Sequence, residues 1–407
     1  MTVGSMANLP LQGSQATSGA VFLLRKPPVQ SVTIELDGWT VSLQKGINAV
    51  VTYGGTAFSH SECHAAALIA ANNGLDYLSA RGACDVAIHD SHDDCLTWWH
   101  EQSGIVMRIN AVTTMTSHSN AVVEARRADG TTVAQTPVFN PVQHDVLRFI
   151  RMSRTSEYLY DSYRNMFLAL EALLYDIRPK QQKANGNYEG DNEWFEKALR
   201  EADRRVPIAP IAPAGVPSPV KWVINNIYNN ERSGLMHAKH GYHLPQDDKS
   251  REQLEASLGV LWSYVRELVE NHLGIANMSG GLVHSGWKLM MERFLPALRV
   301  VVSDDSTPIS SDNQPFAPVT GSVVELPSGP VVMTEGFVGT ILGSCPRSAL
   351  TGFPQIYRIG AMDSDGNAIA FSPIPGPLKV GTSISRFEVL LGCRNVNADG
   401  PRTHFSA

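Results

Sequence analysis

Hydrophobic and polar residues alternate with a period of two along most of residues 20–140, the pattern of strands that bury one face. The clearest case is VTIELDGWTVSL (32–43), which alternates on both sides of Asp37-Gly38. Asp-Gly between two alternating runs is typical of a two-residue hairpin turn. One helix interrupts this region, because Ser59 and Glu62 form a capping box ahead of an apolar run. We therefore expect a β-rich segment with a single helix.

A helical period replaces the alternation from about residue 141 to 275. Its strongest stripe consists of seven apolar residues three or four positions apart: Leu159, Tyr163, Met166, Phe167, Leu170, Leu173 and Leu174. Two further helices are predicted over DNEWFEKALREADRR (191–205) and over 247–274, where Gly274 closes the pattern. Beyond residue 276 the chain again alternates, with turns at Gly, Pro and Asp-Gly.

These patterns predict an α+β multidomain protein with four successive parts. They are a flexible leader (1–19), a β-rich N-terminal domain (20–140), an all-α helical bundle (141–275) and a small C-terminal β-rich domain (276–407). The length of 407 residues agrees with two or three domains.

Composition narrows the class of protein. With 43% hydrophobic and 18% charged residues the chain is of the ordinary globular kind, and its net charge of −6 gives no overall basic field for nucleic acid. Any nucleic-acid contact must therefore be local. The sequence holds no apolar run long enough for a membrane span and no signal peptide, and its five cysteines lack the spacing of a disulfide framework. We expect a cytoplasmic protein without a membrane partner.

NNERSGLMHAKHG (229–241) places two Asn, a Glu, an Arg, a Lys and two His in thirteen positions, and Arg232 precedes His237 by five positions. Such a spacing also arises by chance, as in Arg266 and His272, but that pair lies within one continuous helical pattern. Gly234, between Arg232 and His237, instead allows a helix to break and restart. Arg232 would then lie beside the first turn of the next helix, where the free backbone N–H groups favour phosphate binding.

The motif at this junction, an Arg followed by a small polar residue and then by a His, resembles the one found between two helices in the HEPN superfamily. YRNMFLALEALL (163–174) and YNNERSGLMHAKHG (228–241) are similar to its ApeA-like and MauJ-like branch, and ALIAANNGLDYLSARG (67–82) resembles the region that precedes the helices in MauJ-like proteins. The likeness covers roughly residues 60–275. It implies a HEPN-like helical bundle.

The resemblance also implies a metal-independent, cofactor-free endoribonuclease with RNA as its substrate. Two copies of the junction would form one composite site in a homodimer or a higher homo-oligomer. Arg232 would hold the phosphate and His237 would serve as general base or acid. Five residues would support them: Asn230, Glu231, Ser233, Lys239 and His240. A role in defence or stress, as a toxic ribonuclease restrained by a regulatory partner on the β domains, would follow by analogy.

Three alternatives remain open. Arg232 would be structural if it paired with Glu231 or with an acidic residue of the last helix, and His237 would then be a satisfied histidine at a helix junction. The helices would alternatively form a catalytically inactive scaffold that dimerises or binds a nucleotide or protein. A metal site is the third, with candidate ligands His60, Cys63, His92 and Cys95, although their spacing matches no known zinc module.

Overall fold

The computed structural model describes most of the chain. The described residues are 3–7, 9–11, 18–115, 125–133, 141–236, 243–246, 248–275, 284–307, 317–318, 321–334 and 338–395.

Eighteen strands form within these described residues. In chain order they are β1 Gly4–Met6, β2 Leu9–Pro10, β3 Ser18–Leu24, β4 Val32–Leu36, β5 Trp39–Leu43, β6 Ala49–Gly54, β7 Ile88–Glu101, β8 Gly104–Met115, β9 Ala125–Arg126, β10 Thr132–Val133, β11 Arg299–Ser303, β12 Ala317–Pro318, β13 Val323–Leu326, β14 Val332–Thr334, β15 Val338–Pro346, β16 Ile356–Met362, β17 Asn367–Val380 and β18 Ile384–Asn395.

The helices begin with one in the first part of the chain and continue with a central group. They are α1 His60–Ala80, α2 Val146–Thr155, α3 Leu159–Ile177, α4 Asp191–Asp203, α5 Pro219–Val223, a π-helix at Ile224–Arg232, α6 Ser233–Met236, α7 Asp248–Leu273 and α8 His284–Phe294. Short 3-10 turns occur at Ala209–Ile211, Leu295–Ala297 and Arg347–Leu350. No helix among the described residues combines the length and the apolar character needed to cross a membrane.

The chain divides into two compact units. The β unit contains Met1–Met115, Val283–Val396 and Ser406–Ala407, and the helical unit contains Thr116–Leu282 and Asn397–Phe405. In sequence, the helical unit therefore lies between the two main segments of the β unit.

A nine-stranded sheet of the β unit joins strands from both ends of the chain, in the order β14-β15-β18-β8-β7-β3-β6-β5-β4. Its neighbouring strands are antiparallel except β8 and β18, which pair in parallel from Ile105 opposite Ile384 to Met115 opposite Asn395. Parallel strands need a long crossover connection, and here that connection includes Thr116–Leu282 of the helical unit.

A second sheet has the order β13-β11-β16-β17-β1-β2, with β12 also pairing with β17. Gly4 lies opposite Val380 in this sheet, so β1 and β2 belong to it although the sequence predicts a flexible leader over residues 1–19. The N-terminal strands are thus sheet partners of the C-terminal part of the chain.

Helix α1 covers one face of the nine-stranded sheet. Its start confirms Ser59 as the N-cap, because the backbone N–H of Glu62 donates to Oγ of Ser59 at 3.2 Å. The carboxylate of Glu62 accepts from the N–H of Phe58 at 2.9 Å, one residue before the Ser59 N–H of a capping box. The core between helix and sheet includes Phe22, 0% exposed, and Leu75, 4% exposed. The Asp37-Gly38 hairpin is also confirmed, with both residues at positive φ between β4 and β5.

The helical unit buries the predicted stripe of α3. All seven of its residues are at most 6% exposed: Leu159, Tyr163, Met166, Phe167, Leu170, Leu173 and Leu174. They pack against α4 and α7, whose contributions include Phe195 and Leu258. The three helices predicted over 156–179, 191–205 and 247–274 are confirmed to within a few residues.

The predicted fold class is nevertheless wrong. The β-rich N-terminal segment and the C-terminal β segment are not separate domains, because β8 and β18 share one sheet and β1 and β17 share the other. The helical unit is not an all-α bundle either, since β9 and β10 form a two-stranded sheet within it. The chain is mixed α/β, dominated by two large sheets. Alternation along a strand predicts the strand but not its partner, and these partners lie at opposite ends of the sequence.

Candidate active site

The predicted junction lies where two kinds of helix meet. The π-helix Ile224–Arg232 follows α5 directly, and α6 continues from Ser233. Ser233 keeps right-handed helical angles (φ −69°, ψ −37°), and its N–H donates to the carbonyl of Asn230. The chain therefore changes helix type at Arg232. The break at Gly234 that the sequence predicts does not occur. Single stretches of π-helix occur often at functional sites.

Arg232 stacks on an aromatic cluster. The central carbon of its guanidinium lies 5.2 Å from the ring centre of Tyr228. Tyr228 in turn packs against Phe195, with ring centres 4.4 Å apart. Nε of Arg232 is buried and has no hydrogen-bond partner. Among the described residues no carboxylate lies within ion-pair distance of this guanidinium, and none of them neutralises its charge by direct contact.

Two acidic residues act on Arg232 from a longer range. Burial raises the pKa of Glu171 on α3, and the positive charge of Arg232 offsets part of that rise. A hydrogen bond from Lys180 is the main reason for the lowered pKa of Asp191, to which Arg232 contributes more weakly. The site around Arg232 is therefore polar and of mixed charge, with the arginine at its centre.

Glu231 faces away from this group. It is 1% exposed, and Nε2 of Gln253 on α7 donates to its Oε1 at 2.5 Å. Nε2 of His243 lies 2.8 Å from its Oε2, within ion-pair distance, although the imidazole is not aligned for a hydrogen bond and Oε2 receives none. The interpretation in which Arg232 pairs with Glu231 is therefore wrong for this structure.

His243 belongs to the junction by a second contact. Its backbone N–H donates to the carbonyl of Gly234 at 3.0 Å, so the chain that leaves α6 returns beside it. Sequence reasoning missed this histidine, since it follows Arg232 by eleven positions in a segment without helical or strand periodicity. No signal in the sequence pairs it with Glu231.

The remaining predicted residues divide into two groups. Oγ of Ser233 approaches the carbonyl of Tyr228 at 3.5 Å, a long contact, and Asn230 acts through its backbone carbonyl. His237, Lys239 and His240 lie outside the described residues. The structure thus places Arg232, Ser233, Asn230 and Glu231 at one junction.

The proposed metal ligands lie in the β unit, where the rings of three histidines stack. Ring centres are 6.0 Å apart between His60 and His64, and 4.7 Å apart between His64 and His92. Sγ of Cys63 donates instead to the carbonyls of Gly19 and Trp98. Within the part of the chain that is described, no three His, Cys, Asp or Glu side chains are placed to hold a metal ion together.

Cys95 is likewise engaged elsewhere, because its Sγ approaches the carbonyl of His92 at 3.7 Å and receives the amide of Asn110 at 3.6 Å. All five cysteines of the chain are buried free thiols. Burial raises the pKa of Cys63 to about 12, against two opposing hydrogen bonds to the backbone. A reactive thiolate is therefore not available at this position.

His60 has an unusual environment. Burial lowers its pKa from 6.5 to about 3, assisted by the charges of Arg108, His64 and His92. Its ring meets Trp99 edge to face at 5.4 Å, and the guanidinium of Arg108 lies 5.1 Å from the Trp99 ring centre. Nε2 of His60 is buried and has no hydrogen-bond partner. His60 is thus a neutral core histidine at neutral pH.

Comparison of the chain with protein families, with curated proteins and with solved structures finds no match. The function must therefore be argued from the residues themselves.

Proposed function

We propose that this protein is a metal-independent endoribonuclease, the activity that its resemblance to HEPN proteins implies, with Arg232 as the phosphate-binding residue and His237 as an acid–base group. The observation that carries the proposal is that the guanidinium of Arg232 forms no ion pair with any carboxylate of the described residues. It lies at a helix junction on the Tyr228 ring, and the carboxylate next to it in sequence is bound to Gln253.

The charge of Arg232 supports this role. A half-buried arginine is normally paired with a carboxylate, and none of the described carboxylates lies within ion-pair distance of Arg232. Stacking on Tyr228 covers one face of the guanidinium and its Nε is buried, so a phosphate would bind through the terminal Nη groups. A planar guanidinium binds two phosphate oxygens at once and stabilises the charge that grows on them during reaction. The charges of Glu171 and Asp191 act on the cation from a longer range, without a direct ion pair.

The proposed reaction needs no metal. The ribose 2′-oxygen attacks the adjacent phosphorus and loses its proton to a base, while the bond from phosphorus to the 5′-oxygen breaks and that oxygen receives a proton from an acid. The products are a 2′,3′-cyclic phosphate and a 5′-hydroxyl end. His237 is suited to one of the two proton transfers, since imidazole titrates near neutral pH.

We further propose that two copies of the chain contribute to one site, and that the β unit receives the regulatory partner. The cytoplasm is the proposed compartment, because free thiols persist where the environment is reducing.

The test is cleavage of single-stranded RNA in the presence of EDTA. Arg232→Ala and His237→Ala are expected to lose at least about 100-fold in rate, a typical cost of removing a charge-stabilising or acid–base group. Arg266→Ala, a change on α7 away from the junction sequence, is the matched control and should cleave like the parent.

Two outcomes would contradict the proposal. One is cleavage that EDTA abolishes, which would point to a metal. The other is a well-folded dimer that binds RNA or a nucleotide without turnover, which would favour the inactive scaffold.

A further inference from the structure

Helix α3 carries a glutamate in the middle of an aromatic face beside Arg232. Phe167, Glu171 and Tyr175 follow one another at intervals of four residues, so they lie on one side of the helix. The ring centre of Phe167 lies 5.9 Å from that of Tyr228, the ring on which Arg232 stacks. Glu171 is therefore one helical turn along α3 from the ring contact that borders Arg232.

Tyr175 continues this face to the surface. Its ring centre lies 6.0 Å from that of Trp194, and its side chain is 52% exposed. Nζ of Lys180 lies over Trp194, 5.6 Å from the ring centre. One helical turn from Glu171 there is thus an exposed aromatic ring, and a cation stacks on the aromatic cluster at each end, Arg232 at one and Lys180 at the other.

The carboxylate of Glu171 lies between these cations but contacts neither of them. It is half-buried, and none of the residues that the structure describes forms a hydrogen bond or an ion pair with it. Burial raises its pKa, and the charges of Arg232 and Lys180 oppose that rise from a distance. A half-buried carboxylate is costly unless donors meet it, so a ligand with two N–H groups would satisfy it.

Guanine is the nucleobase whose donors fit a carboxylate. Its Watson–Crick edge presents N1–H and N2–H side by side, and the two oxygens of one carboxylate accept both. Adenine and cytosine present one donor beside an acceptor, and uracil presents one donor between two carbonyls. Each of these three bases would therefore leave a carboxylate oxygen facing an acceptor. Single-stranded RNA is commonly recognised through base edges and through stacking on aromatic rings.

We propose that Glu171 and Tyr175 bind the guanine base of the nucleotide whose 3′-phosphate Arg232 holds, so that the protein cleaves RNA on the 3′ side of guanosine. This inference rests on the proposed function for its phosphate contact and for the cleavage. The two oxygens of Glu171 accept N1–H and N2–H, and the ring of Tyr175 stacks on the base. Glu171 and Tyr175 select the base and take no part in the making or breaking of bonds.

Calorimetric titration with the four 3′-nucleoside monophosphates tests the base preference without requiring cleavage. The parent is expected to bind 3′-GMP at least about tenfold more tightly than the other three, each of which loses a charge-assisted hydrogen bond. Glu171→Gln replaces one acceptor with a donor, the pattern that complements adenine. It should weaken 3′-GMP binding at least about tenfold and strengthen 3′-AMP binding. Glu267→Gln is the matched control, because Glu267 is a half-buried glutamate on α7, and it should keep the preference of the parent.

Two further variants and an RNA substrate separate the base preference from the proposed function. Arg232→Met should weaken all four nucleotides by a similar factor and leave their ranking unchanged, because the phosphate is common to them. Tyr175→Ala removes the stacking surface and should weaken 3′-GMP binding at least about fivefold. An oligonucleotide with one guanosine and one adenosine should be cleaved after the guanosine by the parent and after the adenosine by Glu171→Gln.

Each outcome decides for or against the guanine site. Equal affinity for the four nucleotides, or an unchanged preference in Glu171→Gln, overturns the site whether or not the parent cleaves RNA. A preference for 3′-GMP without any cleavage of RNA supports the site and overturns the proposed function. A parent that binds none of the nucleotides overturns the site, and one that also leaves RNA intact overturns both. If Glu171→Gln fails to fold, Glu171→Asp withdraws the carboxylate by one methylene and should lose the preference for 3′-GMP in the same titration.

Discussion

Arg108 on β8 and Glu388 on β18 form a hydrogen-bonded ion pair between two parallel strands, although 280 residues separate them in sequence. Nε of Arg108 donates to Oε2 of Glu388 at 2.8 Å, and the glutamate side chain is 5% exposed. Arg386 donates to the other oxygen, also at 2.8 Å. This pair links the first and last parts of the chain within the nine-stranded sheet.

We expect Glu388→Ala to destabilise the protein by about 3–5 kcal/mol, because it leaves two arginines beside a buried site without their shared carboxylate. The free energy of unfolding in urea measures the effect. Glu325→Ala is the control, since its pairing with Arg299 is exposed on both sides, and such pairs contribute at most about 1 kcal/mol. A loss below about 1 kcal/mol for Glu388→Ala would show that the pair does not hold the two strands together.

The lowered pKa of His60 predicts a loss of stability in acid. The unfolded chain binds a proton at His60 near pH 6.5, whereas the folded protein resists it down to about pH 3. Proton binding therefore favours the unfolded state, and the contribution of His60 is present above pH 6.5 and is lost as the pH falls towards 3. Near pH 4.5 the loss is on the order of 2 kcal/mol.

Unfolding experiments at pH 7 and pH 4.5 test this contribution. His60→Gln should lose less stability between the two values than the parent does, and the exposed His89→Gln should behave like the parent. The groups that face His60 are Arg108, His64 and His92, all of which remain in both variants. Equal pH dependence in parent and His60→Gln would remove His60 as the cause.

Local pattern predicted the elements better than their arrangement. Asp37-Gly38 fixed a hairpin because two positive-φ positions are needed there, and the apolar stripe of α3 predicted a buried helix face. Neither pattern predicts which other helix or strand the element packs against. The pairing of β8 with β18 joins strands that residues 116–282 of the helical unit separate in sequence, and no local period encodes it.

The same limit applies to the candidate site. Arg232 was found because it lies within one short motif with Gly234 and His237. Its neighbour Glu231 was predicted as a supporting residue, but the sequence did not indicate that His243 or Gln253 would contact it. The first contact comes from a residue beyond the motif in sequence, and the second comes from another helix, α7, whose rotation about its axis is set by packing.

Gly19 on β3 illustrates a packing constraint that a pattern cannot show. A Cβ added there would lie 2.4 Å from the ring of Trp98 and 2.5 Å from the carbonyl of Thr52. We expect Gly19→Ala to destabilise the β unit by about 1–3 kcal/mol or more, since neither the buried indole nor the backbone can retreat. Thermal unfolding measures the change.

Gly259 provides the matched comparison. It is exposed within α7, and a Cβ there would meet nothing within 4 Å. Gly259→Ala should therefore stabilise the protein by about 0.5–1 kcal/mol through helix propensity. If both glycine variants shift the unfolding temperature in the same direction, the contact argument for Gly19 fails.

A substitution of Arg232 tests whether this residue serves ligand binding or the stability of the fold. Its Nε is buried without a hydrogen bond, which costs about 1–3 kcal/mol, and its stacking on Tyr228 returns about 0.5–1 kcal/mol. Arg232→Met keeps the apolar contacts and removes both terms, so the stability should stay within about 1 kcal/mol of the parent or rise. Arg178→Met is the contrasting variant, because Arg178 forms two hydrogen bonds to Glu189, at 2.7 and 2.8 Å, and should lose stability although Glu189 keeps Lys197 as a second partner. Urea unfolding of the two variants, together with RNA cleavage by Arg232→Met, distinguishes a ligand-binding arginine from a structural one.

A strongly destabilised Arg232→Met would mean that the guanidinium serves the fold, and the phosphate-binding role would then lose the observation on which it rests.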